Sequence, residues 1–286
     1  MFKLRLFVVF AAALVVAYDL AVRLHFAPAG PGVTQPQTNG IRLERFALDH
    51  HPQDIVLVGS SLVANLQREP RVGNVVSLGL EGHSPLTGLH AVVSSGASPR
   101  AVVIEVADPL WKKVDDDLVA DSFGPWSGLK RVIPSLQTQF SPFVVLHGLL
   151  KKKLSKGDTE PSADPGLLSQ LIRREKDQRL QPFDRKELDN NRRNLELLAK
   201  DVGELERRGT TVRFVRIPRE KDVDDTPRNR EAVAAVEKLF GPYKWVRVPS
   251  PQPLQTRDAL HMVRAQADRF KSELLRSLDL DLLCLR

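Results

Sequence analysis

An α/β domain built on a mostly parallel sheet and preceded by a transmembrane helix is the fold this sequence predicts, and three observations predict it. Short apolar runs recur along the body, each stopped by glycine or proline, as strands buried on both faces require. Segments of helical periodicity separate these runs, the alternation that a parallel sheet with crossover helices produces. The first 26 residues hold an apolar stretch behind a basic start, which is the order of an export signal.

Lys3 and Arg5 precede an uninterrupted apolar run from Leu6 to Tyr18. Asp19 interrupts it, and Leu20 to Val22 resumes it before Arg23. The run alone falls short of the about 20 residues a bilayer core needs. Extended to Phe26 it reaches spanning length, because charges near the ends can snorkel. Residues 1–26 therefore read as a signal-anchor or transmembrane segment, with a cleaved secretory signal as the alternative. Basic residues ahead of the span favour a cytoplasmic N-terminus. The expected location is the inner membrane, single-pass, with the body periplasmic or otherwise extracytoplasmic. Residues 27–40, rich in proline and glycine, read as a linker, and the folded domain is expected over 41–286.

Within that domain Asp54 to Val58 is the first strand, ended by Gly59. Asn74 to Leu78 is the second, and Pro85 to Ser95 follows with helical spacing and proline in a permitted first-turn position. Ala101 to Val106 is the third strand. A long polar helix runs from Asp184 to Arg208 and stops at Gly209. Thr211 to Ile217 and Lys244 to Val248 are the fourth and fifth strands, with a helix over Arg228 to Phe240 between them. A last helix covers Met262 to Leu278. Right-handed crossovers make a flavodoxin-like three-layer sandwich around a five-stranded sheet the economical topology. Residues 109–182 break the alternation and read as an insertion, with a loop over 155–166.

Composition narrows the function classes. Hydrophobic residues at 42% and charged residues at 27% exclude global disorder. The net charge of +7 gathers at Lys151–Lys153, Arg173–Arg174 and Arg207–Arg208, which reads as solvated surface or as a site for an anionic partner. Export puts nucleic acid out of reach. Cys284 is the only cysteine, so an intrachain disulfide and a cysteine-rich zinc site are both excluded.

The chemistry-bearing residues lie at opposite ends of the body. A serine hydroxyl needs an adjacent base, usually a histidine held by a third group. The stretch IVLVGSSLVANL at 55–66 places Ser60 and Ser61 where a buried strand turns into a helix, whose first N–H groups are unpaired. Asp258 and His261, three residues apart, would share one face of a helical turn. The carboxylate can then hold one ring nitrogen and leave the other for Ser61. An ordinary helix cap at the serines and a helix start at Asp258 are the bland alternatives.

On these residues the chain resembles the SGNH/GDSL hydrolase superfamily. Gly59-Ser60-Ser61 matches its first block, with Ser61 at the nucleophile position. The stretch from Ser77 to Pro85 matches its second, with Gly82, or less well Gly79, at the oxyanion glycine. Asp258 and His261 match its last. The resemblance implies a catalytic set of Ser61, Asp258 and His261, an oxyanion hole from the N–H groups of Ser61 and Gly82, and no metal or organic cofactor. Membrane-anchored bacterial relatives linked to polysaccharide O-acylation share this layout. The implied function is an extracytoplasmic serine esterase or O-acyltransferase acting on an acyl ester of a glycan or lipid. A transferase would take acyl groups from a membrane partner, since acyl-CoA is absent outside the cytoplasm. The family's third block carries an asparagine where this chain reads Glu105-Val106-Ala107-Asp108-Pro109. That departure favours the rival reading, a non-catalytic scaffold in a cell-envelope or polysaccharide assembly.

The remaining candidates read as structural. His50 and His51 point to opposite faces of an extended chain, which suits solvation better than metal binding. His83 is a loop residue of the second block, while His90 and His147 sit in apolar helical surroundings and His25 follows the apolar segment. Trp111 and Trp126 read as core, with a cleft wall as the alternative.

Overall fold

A computed structural model of the protein describes residues 2–124, 126–154 and 164–284. Twelve helices and six strands are among them: α1 (Phe2–Arg23), α2 (Gln35–Leu48), β1 (Ile55–Gly59), α3 (Ser61–Leu66), β2 (Arg71–Val72), β3 (Val75–Gly79), α4 (Pro85–Ser94), β4 (Ala101–Glu105), α5 (Asp116–Phe123), α6 (Trp126–Val132), α7 (Pro142–Leu154), α8 (Pro165–Leu180), α9 (Arg185–Arg207), β5 (Thr211–Val215), α10 (Lys221–Asp224), α11 (Pro227–Phe240), β6 (Trp245–Val246) and α12 (Arg264–Cys284). The chain divides into two compact units, one from Met1–Asp49 and Ala120–Asp158, the other from His50–Val119 and Thr159–Arg286.

The second unit holds a six-stranded sheet in the order β2-β3-β1-β4-β5-β6. Every pairing is parallel except that of β2 with β3. The five expected strands are all present, and the sixth is a correction. Arg71–Val72 is too short to carry an apolar pattern, and it is fixed instead by the bidentate pairing of Arg71 with the buried Asp54, at 2.7 and 2.9 Å. Strands β1, β3 and β4 are buried at every position, which explains their unbroken apolar sequence. Ile55, Leu57, Val103 and Val215 share one cluster with Leu62 and Leu66 of α3 and with Phe270 and Leu274 of α12. Alternation sends Val58 and Leu78 to the opposite face, where Gly88 of α4 comes close to both.

Two glycines set how α3 lies on the strand ends. A Cβ on Gly79 would sit 2.2 Å from the backbone nitrogen of Ala64, and one on Gly59 would sit 2.2 Å from Val63 Cγ2. Neither position admits a side chain, so the first helix after β1 packs directly over the carboxyl ends of β1 and β3.

In the first unit the segment expected as a linker is partly helical. Thr34 caps α2, which starts at Gln35, and Asn39 and Ile41 are buried. Gly30 donates its N–H to Gln139 O at 2.9 Å, and a Cβ there would strike Val144. The glycine- and proline-rich composition thus serves close packing at Gly30. Of the region 109–182, residues 120–154 belong to this unit and 164–182 to the other. Residues 155–163 of the expected loop lie outside the described residues, and Asp164 caps α8. Trp126, expected in a core, is 71% exposed.

Candidate active site

The site is built where β1 ends. Ser60 is the N-cap of α3, its hydroxyl accepting from Leu62 N at 3.3 Å. That same hydroxyl donates to Glu105 Oε1 at 2.8 Å, and Ser60 N donates to Glu105 Oε2 at 2.8 Å. Glu105 closes β4, the strand beside β1, and is fully buried. Burial pushes its carboxyl above the usual glutamate range, against the hydrogen bonds from Ser60 and the positive charge of Arg219. Ser60 is therefore clamped between two strand ends. Ser61, the first residue of α3, is half-buried, and among the described residues its hydroxyl has no hydrogen-bond partner. The two adjacent serines have opposite environments.

The loop after β3 lies next to this point. Leu80 N donates to Gly59 O at 2.8 Å, tying the carboxyl ends of the neighbouring strands together. Gly82 follows at φ +81, a left-handed conformation that glycine adopts without strain. Its carbonyl accepts from Lys112 Nζ at 3.1 Å. His83 faces Asp115 at 3.5 Å.

The third segment is a hairpin-like loop and not the helical turn its spacing predicts. Thr256 bridges Met262 in antiparallel fashion, Arg257 N donates to His261 O at 2.9 Å, and Val263 N donates to Gln255 O at 3.0 Å. Ala259 at its tip has φ +70, a conformation uncommon for a side-chain-bearing residue and frequent at functional loops. One oxygen of Asp258 takes the N–H groups of Leu260 and His261, at 3.2 and 2.8 Å. The other holds His261 Nδ1 at 2.7 Å. Burial pushes the Asp258 carboxyl up, but the His261 ring and the two loop N–H groups outweigh it and hold it below the usual range. One carboxylate thus fixes both the loop and the imidazole. Among the described residues nothing hydrogen-bonds Nε2 of that ring.

Two hydrogen bonds join this loop to α3. Asn65 Nδ2 donates to Met262 O at 3.0 Å, and Arg264 donates to Asn65 O at 3.4 Å. Asn65 lies four residues after Ser61 and so shares its helix face. The structure brings Asp258 to His261 and docks their loop on the helix that Ser61 starts. It shows no hydrogen bond between Ser61 and His261 among the described residues.

Behind the loop lies a charged network that the sequence reading did not assign. Arg219, almost wholly buried, pairs with Asp108 and with Asp224, and Arg179 of α8 holds the other oxygen of Asp108 at 2.9 Å. Burial pushes Asp108 up, and the two guanidinium groups bring it below the usual aspartate range. A pocket of about 470 Å³ opens here, walled by Asp108, Trp111, Arg179, Phe183, Asn191 and Leu260. Trp111 is buried and meets Phe183 edge to face, 6.1 Å between centroids. Both polar atoms of the buried Asn191 amide lack a partner among the described residues. Leu260, between Asp258 and His261, makes the pocket a neighbour of the dyad. A larger cavity of about 700 Å³ beside β6 contains none of Ser61, Gly82, Asp258 and His261 in its lining.

The other histidines separate by partner. His90 is held by the buried Asp201 at 3.1 Å and titrates above its ordinary value for that reason. His147 Nδ1 is buried without a partner among the described residues. No group of three metal-ligating side chains occurs among the described residues. One signal for the missed residues was present in the sequence. Glu105 interrupts an otherwise apolar buried strand, where a charge needs a partner. Comparison of the chain with family models, curated proteins and solved structures finds no match.

Proposed function

We propose that the protein is a serine esterase or O-acyltransferase of the SGNH type, acting outside the cytoplasm on an acyl ester of a glycan or lipid. One observation carries the reading. The imidazole of His261 is held at Nδ1 by Asp258, its Nε2 has no partner among the described residues, and its loop is bonded to the helix that begins with Ser61. The strand order adds support. Counting only the parallel strands in chain order it is 2-1-3-4-5, as in flavodoxin-like three-layer folds, and ligands there gather at the carboxyl ends near the order's reversal. The Ser60–Glu105 clamp joins the two strands at that reversal.

In this mechanism Ser61 Oγ attacks the ester carbonyl while its proton passes to His261 Nε2. The tetrahedral oxyanion is received by the N–H groups of Ser61 and Gly82. Collapse breaks the bond to the alcohol, which leaves with the proton returned by His261. Asp258 stabilises the imidazolium between these steps. Water then releases the acyl group, or a sugar hydroxyl accepts it in the transferase version. The 470 Å³ pocket, lined by paired charges and two aromatic rings, suits a hydroxyl-bearing alcohol better than an alkyl chain.

The test is turnover of p-nitrophenyl acetate by the purified full chain. His261→Ala should lower the rate about 10²–10⁴-fold, the usual contribution of a general acid–base. Asp258→Asn should lower it with the domain still folded. Unchanged turnover in either variant would remove these residues from the mechanism.

A second reading has its own observation. Glu105 stands near the position where the family carries a donor asparagine, and a carboxylate cannot donate unless protonated. A scaffold that keeps the fold without chemistry accommodates that substitution directly.

A further inference from the structure

The first unit carries an apolar surface on the end of its hydrophobic helix. Residues Arg5–Arg23 of α1 are long and apolar enough to cross a membrane. The last turns of α1 are stapled to residues more than a hundred positions later. Tyr18 Oη donates to Phe140 O at 2.5 Å, Ser135 N donates to Asp19 Oδ1 at 2.9 Å, and the Arg23 guanidinium reaches Val132 O. Helices α6 and α7 flank this stapled stretch.

Both helices turn apolar residues outward. On α6 the exposed set is Trp126, Leu129 and Val132, spaced three apart along one face. On α7 it is Phe143, Leu146, Leu149 and Leu150, an arc of about 120° at 100° per residue. The inward side of α7 carries Val144, buried against Gly30. Exposed Lys151 and Lys153 follow on the same helix. Surface apolar residues usually occur singly, and contiguous sets mark an interaction face. At 13 residues α7 is too short to cross a bilayer itself.

We propose that α6 and α7 form a collar seated in the headgroup layer of the bilayer that α1 crosses, with a lipid surface as their partner. The stapling holds both helices at the end of the span, which is the depth of the interface. An outward tryptophan, bulky apolar side chains and flanking lysines are what that layer accommodates. The proposal requires α1 to be retained, and the stapling gives α1 a structural part that a removable leader lacks.

The test uses the full chain in phosphatidylcholine–phosphatidylglycerol vesicles, with matched vesicles whose lipids are brominated either high or low on the acyl chain. Bromine quenches tryptophan on contact, and subtraction of the Trp126→Phe spectrum isolates Trp126 from Trp111 and Trp245. The Trp126 component should lose most of its intensity with the high-brominated lipid and much less with the low-brominated one. Replacing Leu146 and Leu150 together by Glu should lift the collar and restore the emission. A Trp126 component unquenched by either lipid would overturn the proposal and leave the face to a protein partner. Stronger quenching by the low-brominated lipid would overturn the headgroup placement.

Discussion

At the residue scale the adjacent serines differ in their partners. Ser60 spends its N–H and its hydroxyl on Glu105, while the Ser61 hydroxyl stands unpartnered among the described residues. Glu105→Ala should therefore destabilise the fold by about 1–3 kcal/mol, because it strands two buried donors. Glu105→Gln, which offers one acceptor and one donor as a protonated carboxyl does, should cost far less. The two forms also differ in pH dependence. A carboxyl raised by burial binds its proton more tightly folded than unfolded. Stability then falls as pH rises from the ordinary glutamate value of 4.5 toward the raised one. Melting temperatures across that window should decline more steeply for the wild type than for Glu105→Gln. Equal slopes would mean that Glu105 is ionised in the fold. Asp258 works in the opposite sense. Its lowered value gives stability that is present above the ordinary aspartate value and lost as pH falls from there through the lowered one.

At the element scale the short helix α3 connects the site. Gly79 lets its backbone lie against β3, and Asn65 ties its far end to the His261 loop. Gly79→Ala should force the helix away and cost about 1–3 kcal/mol, as overpacking does. Asn65→Ala leaves the Met262 carbonyl buried without its partner and should slow ester turnover more than it lowers the melting temperature. Turnover that falls only in proportion to lost folded protein would reduce Asn65 to a packing role. Elements of this kind divide what was legible from what was not. The five strands were legible because burial on both faces writes an unbroken apolar run. The two-residue β2 has no room for such a signal. The final loop differs from the helical turn its sequence predicts because a spacing of three serves a turn and a hairpin tip equally. Only the positive φ at Ala259 and the bridge from Thr256 to Met262 separate them.

At the scale of the whole molecule, the sequence motifs point to residues some two hundred positions apart, and two hydrogen bonds at Asn65 join the loop of one to the helix of the other. Nothing local in the sequence announces the Asp108–Arg219–Arg179 network, whose members lie in three separate segments of the chain. Nor does composition show that Gly30, within the glycine- and proline-rich stretch 27–40, meets Val144 closely, since glycine serves linkers and close packing alike. With residues 2–49 and 120–154 in one unit, the full chain should remain with membranes after alkaline carbonate extraction. Recovery in the soluble fraction of a chain that starts beyond Arg23 would contradict the retained span.

In the proposed mechanism Ser61 is a nucleophile activated by His261. The most direct measurement is mass-spectrometric mapping of the full chain after exposure to a fluorophosphonate. A single adduct on Ser61 is expected, one that disappears in Ser61→Ala, persists in Ser60→Ala and is strongly slowed in His261→Ala. A folded chain that never acquires the adduct would contradict the enzyme reading. An adduct on Ser60 would contradict the assignment of the clamp.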